Sequence, residues 1–244
     1  MTRVKICGCR SVEHALAAAE AGADFVGLMF AESRRKISPA DASEIVRALG
    51  SPLAEREMAE PPALHRTDAT DPRSWFEHSA AALERLLESK RPLTVGVFAN
   101  NHPEEINEIV DECGIDLIQL SGNEPWSQVF LMNRQVVKVV HVREHDGPDD
   151  VLSRIETGSA IAVMLDSAGK TPGGTGTAFD WSVAAKVSSS LPLWLAGGLT
   201  AANVAQAIEQ VQPWCVDVSS GVETDGVKDA VKIQAFVAAA RGAL

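Results

Sequence analysis

The sequence predicts a single (β/α)8 barrel, and three observations lead to it. Short apolar runs alternate with helical patterns from one end to the other, as a parallel sheet with crossover helices requires. Eight such units fit into 244 residues, the size of a closed barrel; an open, doubly wound sheet of eight strands needs a switch point and usually a longer chain. Polar and glycine-rich residues stand at the ends of several runs, where a barrel gathers its chemistry at one mouth.

The elements follow in order. Val4 to Cys7 reads as a strand and Val12 to Ala21 as an Ala-rich helix. Asp24 to Phe30 is the second strand, and Pro39 to Leu49 a helix opened by Ser38 as N-cap with proline at N1. Thr94 to Phe98 is a strand with Pro103 to Glu112 as its helix; Ile115 to Leu120 is a strand with Pro125 to Asn133 as its helix. Val136 to Val142 and Pro148 to Thr157, then Ala160 to Leu165 and Phe179 to Ser188, are the fifth and sixth pairs. Leu193 to Ala196 and Ala201 to Val211, then Trp214 to Val218 and Lys228 to Ala240, complete the eight.

One stretch, Gly50 to Arg91, breaks the rhythm, because a few residues normally join a helix to the next strand. Its first part is rich in Pro, Glu and Ala. Its second part, Ser74 to Ser89, carries Phe76, Ala80, Leu83 and Leu87 at helical spacing. It reads as an insertion with one extra amphipathic helix. As a helix-to-strand connection it is expected at the N-terminal face of the barrel, away from the chemistry, within one domain spanning 1–244.

Composition narrows the function. The charge is 22 − 33 = −11 with pI ≈ 5.0, which argues against a nucleic-acid footprint. No uncharged apolar run approaches about 20 residues, so no membrane span is expected, and Met1 to Lys5 lacks the apolar core of a signal peptide. A cytoplasmic protein with reduced Cys7, Cys9, Cys113 and Cys215 is expected. Neither the cysteines nor the six histidines show metal-ligand spacing, so no metal site is expected.

Three glycine-bearing loops suggest a phosphorylated small-molecule ligand. Gly173-Gly174-Thr175-Gly176 follows strand 6, Gly197-Gly198 ends strand 7 and Ser219-Ser220-Gly221 ends strand 8. Glycine lets backbone N–H groups approach an anion, and the loops after strands 7 and 8 are the usual phosphate site of a barrel. Gly174, Gly176, Gly197, Gly198, Ser220 and Gly221 are therefore the phosphate candidates. Cys7 ends strand 1 and shares a face with Lys5; it is a small buried apolar residue or a thiolate base. Asp166 ends strand 6 after an apolar run, a natural general acid or base. Arg34, Arg35 and Lys36 follow strand 2, where a guanidinium can hold a substrate carboxylate and solvated charge is the plainer alternative. Lys5 and Asp217 lie on strands 1 and 8, which are neighbours only in a closed sheet; an inward Lys needs a counter-charge, so the two are expected to pair. Gln119 ends strand 4 as a candidate for substrate hydrogen bonding, and His102 and His141 lie near strand ends.

These residues together resemble the phosphoribosylanthranilate isomerase family of tryptophan biosynthesis. The likeness runs through Val4-Lys5-Ile6-Cys7-Gly8, Gly22 to Gly27, Ser33-Arg34-Arg35-Lys36-Ile37-Ser38, Gly96-Val97-Phe98, Ile118-Gln119-Leu120, Leu165-Asp166-Ser167, Gly173 to Trp181, Leu195 to Leu199 and Val216 to Glu223. Only 50–91 is uncovered. The resemblance implies an Amadori rearrangement without cofactor, with Asp166 as general acid and Cys7 as general base. It implies Arg35 on the anthranilate carboxylate and the glycine loops on the phosphate; Gln119 and Asp217 are expected as further substrate contacts. A monomer or homodimer without nucleic-acid or membrane partners is expected. Acid and base need environments that push their pKa values apart: desolvation raises Asp166, and neighbouring cations are expected to lower Cys7. Two positions depart from the family: Ser121 stands where a histidine is usual, and Cys9 where an aliphatic or small residue is usual. Competing readings are a paralogue acting on another aminoaldose phosphate and a non-catalytic sugar-phosphate-binding barrel.

Overall fold

The computed structural model describes residues 1–56, 70–167 and 181–243. Eight parallel strands close into a barrel in sequence order. They are β1 (Arg3–Cys7), β2 (Phe25–Met29), β3 (Leu93–Phe98), β4 (Leu117–Leu120), β5 (Val136–Val142), β6 (Ala162–Ser167), β7 (Leu193–Leu195) and β8 (Cys215–Val218). Closure pairs β1 with β8, with Lys5 opposite Asp217. Helices α1 (Val12–Glu20) and α2 (Pro39–Ala48) cover the outside, and α3 (Pro72–Ser89) stands apart. The outer layer continues with α4 (Pro103–Cys113), α5 (Pro148–Leu152), α6 (Trp181–Ser188), α7 (Val204–Val211) and α8 (Ala230–Arg241). Local chemistry starts them: Ser11 accepts from the His14 amide and Ser38 from the Asp41 amide, with Pro39 in the first turn of α2. A short hairpin of β9 (Glu223–Thr224) and β10 (Val227–Lys228) precedes α8, so Lys228, expected as the start of that helix, is a strand residue.

Two expected helices are shorter or tighter. Pro125–Asn133 contains a 3-10 helix over Trp126–Leu131, with only Val129 buried. At about 2.0 Å rise per residue it spans more distance than an α-helix of equal length, which suits a short connection that must return the chain to the start of β5. In Pro148–Thr157 the α-helix stops at Leu152.

Alternation along the strands divides the core in two. Outward residues such as Val4, Ile6, Val26, Leu28, Val163 and Leu195 pack against the helices. Inward residues, among them Phe25, Leu93, Val95, Val137, Met164 and Trp194, fill the barrel axis. Phe25 and Trp194 meet with ring centroids 4.6 Å apart, and Trp194 stacks on Trp214 at 5.7 Å.

The long helix α3 lies outside the ring, since α2 packs directly on α4. Leu83 and Leu87 join the axial core. Trp75 Nε1 donates to the Ala160 carbonyl, 2.8 Å away, just before β6, and Arg3 Nε at the start of β1 donates to Glu84 at 2.9 Å. The helix thus runs across the N-terminal ends of the strands and forms a floor. Two carboxylates are sealed nearby. Asp24 accepts from the Val4 amide at 2.8 Å and from Arg241 at 2.6 Å. Asp116 accepts from Leu53 N, Thr94 N and Thr94 Oγ1, each at 2.8 Å, and from Lys90 Nζ at 2.7 Å.

Candidate active site

The opposite, C-terminal face gathers the polar inward residues. Alternation on β1 points Lys5 and Cys7 to the axis, and Cys7 faces Gly27 across the β1–β2 pairing. A Cβ at residue 27 would stand 2.8 Å from Cys7 Sγ and 3.1 Å from Lys5 Nζ. The missing side chain therefore leaves the space into which thiol and ammonium converge. Lys5, fully buried, places its ammonium 2.7 Å from Asp217 Oδ1, the pair expected from closure. A buried ammonium without such a partner would cost several kcal/mol.

Asp166 stands on β6 opposite His141 of β5. Its Oδ1 accepts from the Ser167 amide at 2.8 Å. Burial, reinforced by the negative Asp217, pushes its carboxyl above the ordinary carboxylate range, as anticipated for an acid. Cys7 departs from expectation. Burial raises its thiol more than Lys5 and Lys228 lower it, and Asp217 adds to the rise, so the resting group is driven toward the protonated form. Two residues on, Cys9 is fully buried and its thiol is pushed up to about 12, chiefly by desolvation.

Arg35 is buried, and its guanidinium forks onto Glu223: Nε to Oε1 at 2.6 Å and Nη2 to Oε2 at 3.0 Å. Its stem crosses Gly8, where a Cβ would meet Arg35 Cδ at 2.6 Å. Glu223 also receives Arg34 at 2.7 Å and Lys228 at 2.9 Å. Despite the cost of desolvation, these cations hold its carboxyl down at about 2. Lys228 donates to the Ser219 carbonyl at 2.8 Å, and Ser219 Oγ to the Cys7 carbonyl at 3.0 Å. One carboxylate thus ties the loops after β2 and β8 to the end of β1. Glu223 does not stand out in the sequence; its only signal there is the excess of cations after strand 2.

Gln119, buried on β4, donates from Nε2 to Ser121 Oγ at 2.9 Å, while its Oε1 has no partner among the described residues. His141 Nε2 donates to the Ser121 carbonyl at 2.9 Å, which places an imidazole beside the position of the family histidine. His102 is instead an exposed N-cap residue of α4 that pairs with Glu104. Gly197 and Gly198 take left-handed backbone angles after β7. Gly221 lies in a short turn over Ser220–Val222, and a Cβ there would sit 2.0 Å from the Leu199 carbonyl oxygen. The β7 and β8 loops therefore press together, and Ser220 opens the turn that carries Gly221. Gly174 and Gly176 lie outside the described residues.

Residues 51–239 match the family model described as N-(5'phosphoribosyl)anthranilate (PRA) isomerase. An N-(5'-phosphoribosyl)anthranilate isomerase of Roseiflexus sp. (strain RS-1) is 42% identical over 244 residues, covering 100% of this chain and 99% of that protein. The crystal structure of phosphoribosyl anthranilate isomerase from Thermotoga maritima superposes with a TM-score of 0.74 at 33% identity, covering 99% and 100% of the two chains. A structure of such an isomerase in complex with reduced 1-(o-carboxyphenylamino)-1-deoxyribulose 5-phosphate gives 0.70 at 32% identity, with coverage of 99% and 100%.

Proposed function

This chain belongs to the N-(5'-phosphoribosyl)anthranilate isomerase family, and from that premise we propose that Cys7 and Asp166 carry its reaction. The enzyme catalyses the Amadori rearrangement of N-(5-phosphoribosyl)anthranilate to 1-(2-carboxyphenylamino)-1-deoxyribulose 5-phosphate in tryptophan biosynthesis. The convergence of Cys7 and Asp166 on one mouth carries the assignment.

Asp166, whose carboxyl is pushed upward by burial and by the negative Asp217, gives its proton to the furanose ring oxygen. The C1–O bond breaks, and the nitrogen lone pair forms a protonated Schiff base. Cys7 as thiolate takes the C2 proton, and the C–H electron pair moves into the C1–C2 bond while the imine electrons return to nitrogen. The resulting enolamine loses its enol proton and gains one at C1, giving the ketone. The substrate's own imine is the electron sink, so the step needs no cofactor. Arg35, oriented by Glu223, meets the anthranilate carboxylate. Gln119 and Asp217 meet the sugar, the unpaired Oε1 of Gln119 suiting a hydroxyl donor. Backbone amides at Gly197, Gly198, Ser220 and Gly221 hold the phosphate; Gly174 and Gly176, outside the described residues, are assigned to it from the sequence resemblance alone.

No helix among the described residues is long and apolar enough to cross a membrane, and the charge of −11 disfavours nucleic acid. We assign the enzyme to the cytoplasm, as a monomer or homodimer, with segment 50–91 as an insertion at the barrel floor. Cys7→Ser and Asp166→Asn should each lower kcat by about a thousandfold while a product analogue binds within about threefold of wild type. Turnover within about tenfold of wild type in either variant removes that residue from the mechanism.

A further inference from the structure

A general base in this site needs a thiolate, yet burial favours the thiol. The base therefore depends on a neighbour that stabilises its negative form. Lys5 is placed to do so. It lies two residues before Cys7 on the same inward face, and its ammonium and the sulfur both point into the space above Gly27. It is fully buried, so water does not dilute its charge. Asp217 holds it from the far side at 2.7 Å. Resting on the assignment of Cys7 as base, we infer that Asp217, Lys5 and Cys7 form a carboxylate–ammonium–thiol relay in which Lys5 is the positioning residue that generates the active thiolate.

The proton balance is simple. Lys5 keeps its three protons throughout and donates a hydrogen bond to Sγ. The thiol proton leaves to solvent before turnover, and the sulfur then accepts the C2 proton of the substrate. Asp217 sets the strength of the device. It orients the ammonium, and its own charge opposes a second anion nearby. Among the described residues, the charged groups around the sulfur are Lys5 on β1, Asp217 on β8, Lys228 on β10 and, across the mouth, Asp166 on β6; β2 presents Gly27.

This arrangement makes the two partners of the relay act with opposite sign. The test follows the far-ultraviolet absorbance of the thiolate during pH titration of the ligand-free protein, with Cys7→Ser as the subtraction control. Lys5→Met should move the Cys7 titration upward by roughly one to two pH units, and Asp217→Asn should move it downward. In parallel, kcat/KM of Lys5→Met should fall about tenfold at neutral pH for each pH unit by which the titration midpoint rises, and recover as pH rises. A purely structural role for Lys5 would give neither the displaced midpoint nor the recovery. An unchanged titration in Lys5→Met, or one in Asp217→Asn that stays put or moves upward, overturns the relay. If Lys5→Met does not fold, Lys5→Gln, which keeps a donor beside Asp217 without the charge, is titrated in its place and must show the same upward move. Full turnover in Cys7→Ser would sink the assignment of the base while leaving the titration result standing, so the two failures are separable.

Discussion

The carboxylates on the floor of this barrel and the candidate reactive groups at its mouth are both buried, and they are partnered in opposite ways. On the floor, Asp116 collects four donors within 2.8 Å and Asp24 is closed between an amide and Arg241. At the mouth, among the described residues, Asp166 accepts from one amide at 2.8 Å, Cys7 is driven toward its neutral form, and Gln119 keeps an unpaired oxygen. Polar groups that are fully partnered stabilise the fold, and those left short of partners are reactive toward a ligand that supplies the rest. Fully partnered Asp24 and Asp116 thus stand at one end of the strands, and the under-partnered candidates Asp166 and Gln119 at the other.

Mutations can break or sharpen that separation. The largest effect on stability is expected at Asp116→Ala, which strands the buried Lys90 ammonium and the Leu53 and Thr94 donors. It should cost about 3–5 kcal/mol in chemical denaturation, while kcat of the remaining folded enzyme stays within about twofold. A collapse of kcat in folded protein would show that floor and mouth are coupled. Leu83→Ala should cost about 3 kcal/mol through the cavity it leaves under the axial core, again without a change in KM. A loss of less than about 1 kcal/mol would mean that α3 rests on the floor without supporting it.

The effect of Glu223→Gln, which strands the buried Arg35 and Lys228, is best read against acidity. The folded-state value of Glu223, about 2, lies below its ordinary 4.5. Its contribution to stability is therefore complete above pH 4.5 and lost as pH falls toward 2. The stability gap between wild type and Glu223→Gln should close across that window in a denaturation series. A gap that stays constant would show that Glu223 acts through packing alone.

Much of the architecture is legible in the sequence because it rests on local periodicity. Alternating β and α patterns specify the barrel, and closure then forces Lys5 beside Asp217, a long-range contact that follows from topology alone. Cys7 and Asp166 are legible as polar interruptions at strand ends. What escapes the sequence depends on competition between effects of similar size. Cations are expected to lower the thiol of Cys7, but burial outweighs them. The grip of Glu223 on Arg35 joins residues 188 apart through side-chain geometry in loops, which no periodicity encodes. The 3-10 turn at Trp126–Leu131 reads as a full helix in the sequence because the same apolar spacing serves both when the segment is short.

The packed axis has a consequence for traffic. With Phe25 and Trp194 filling the bore and Leu83 and Leu87 of α3 packed into its lower end, the described residues leave no passage along the axis, so a ligand of this barrel arrives and departs on the side where the strands end.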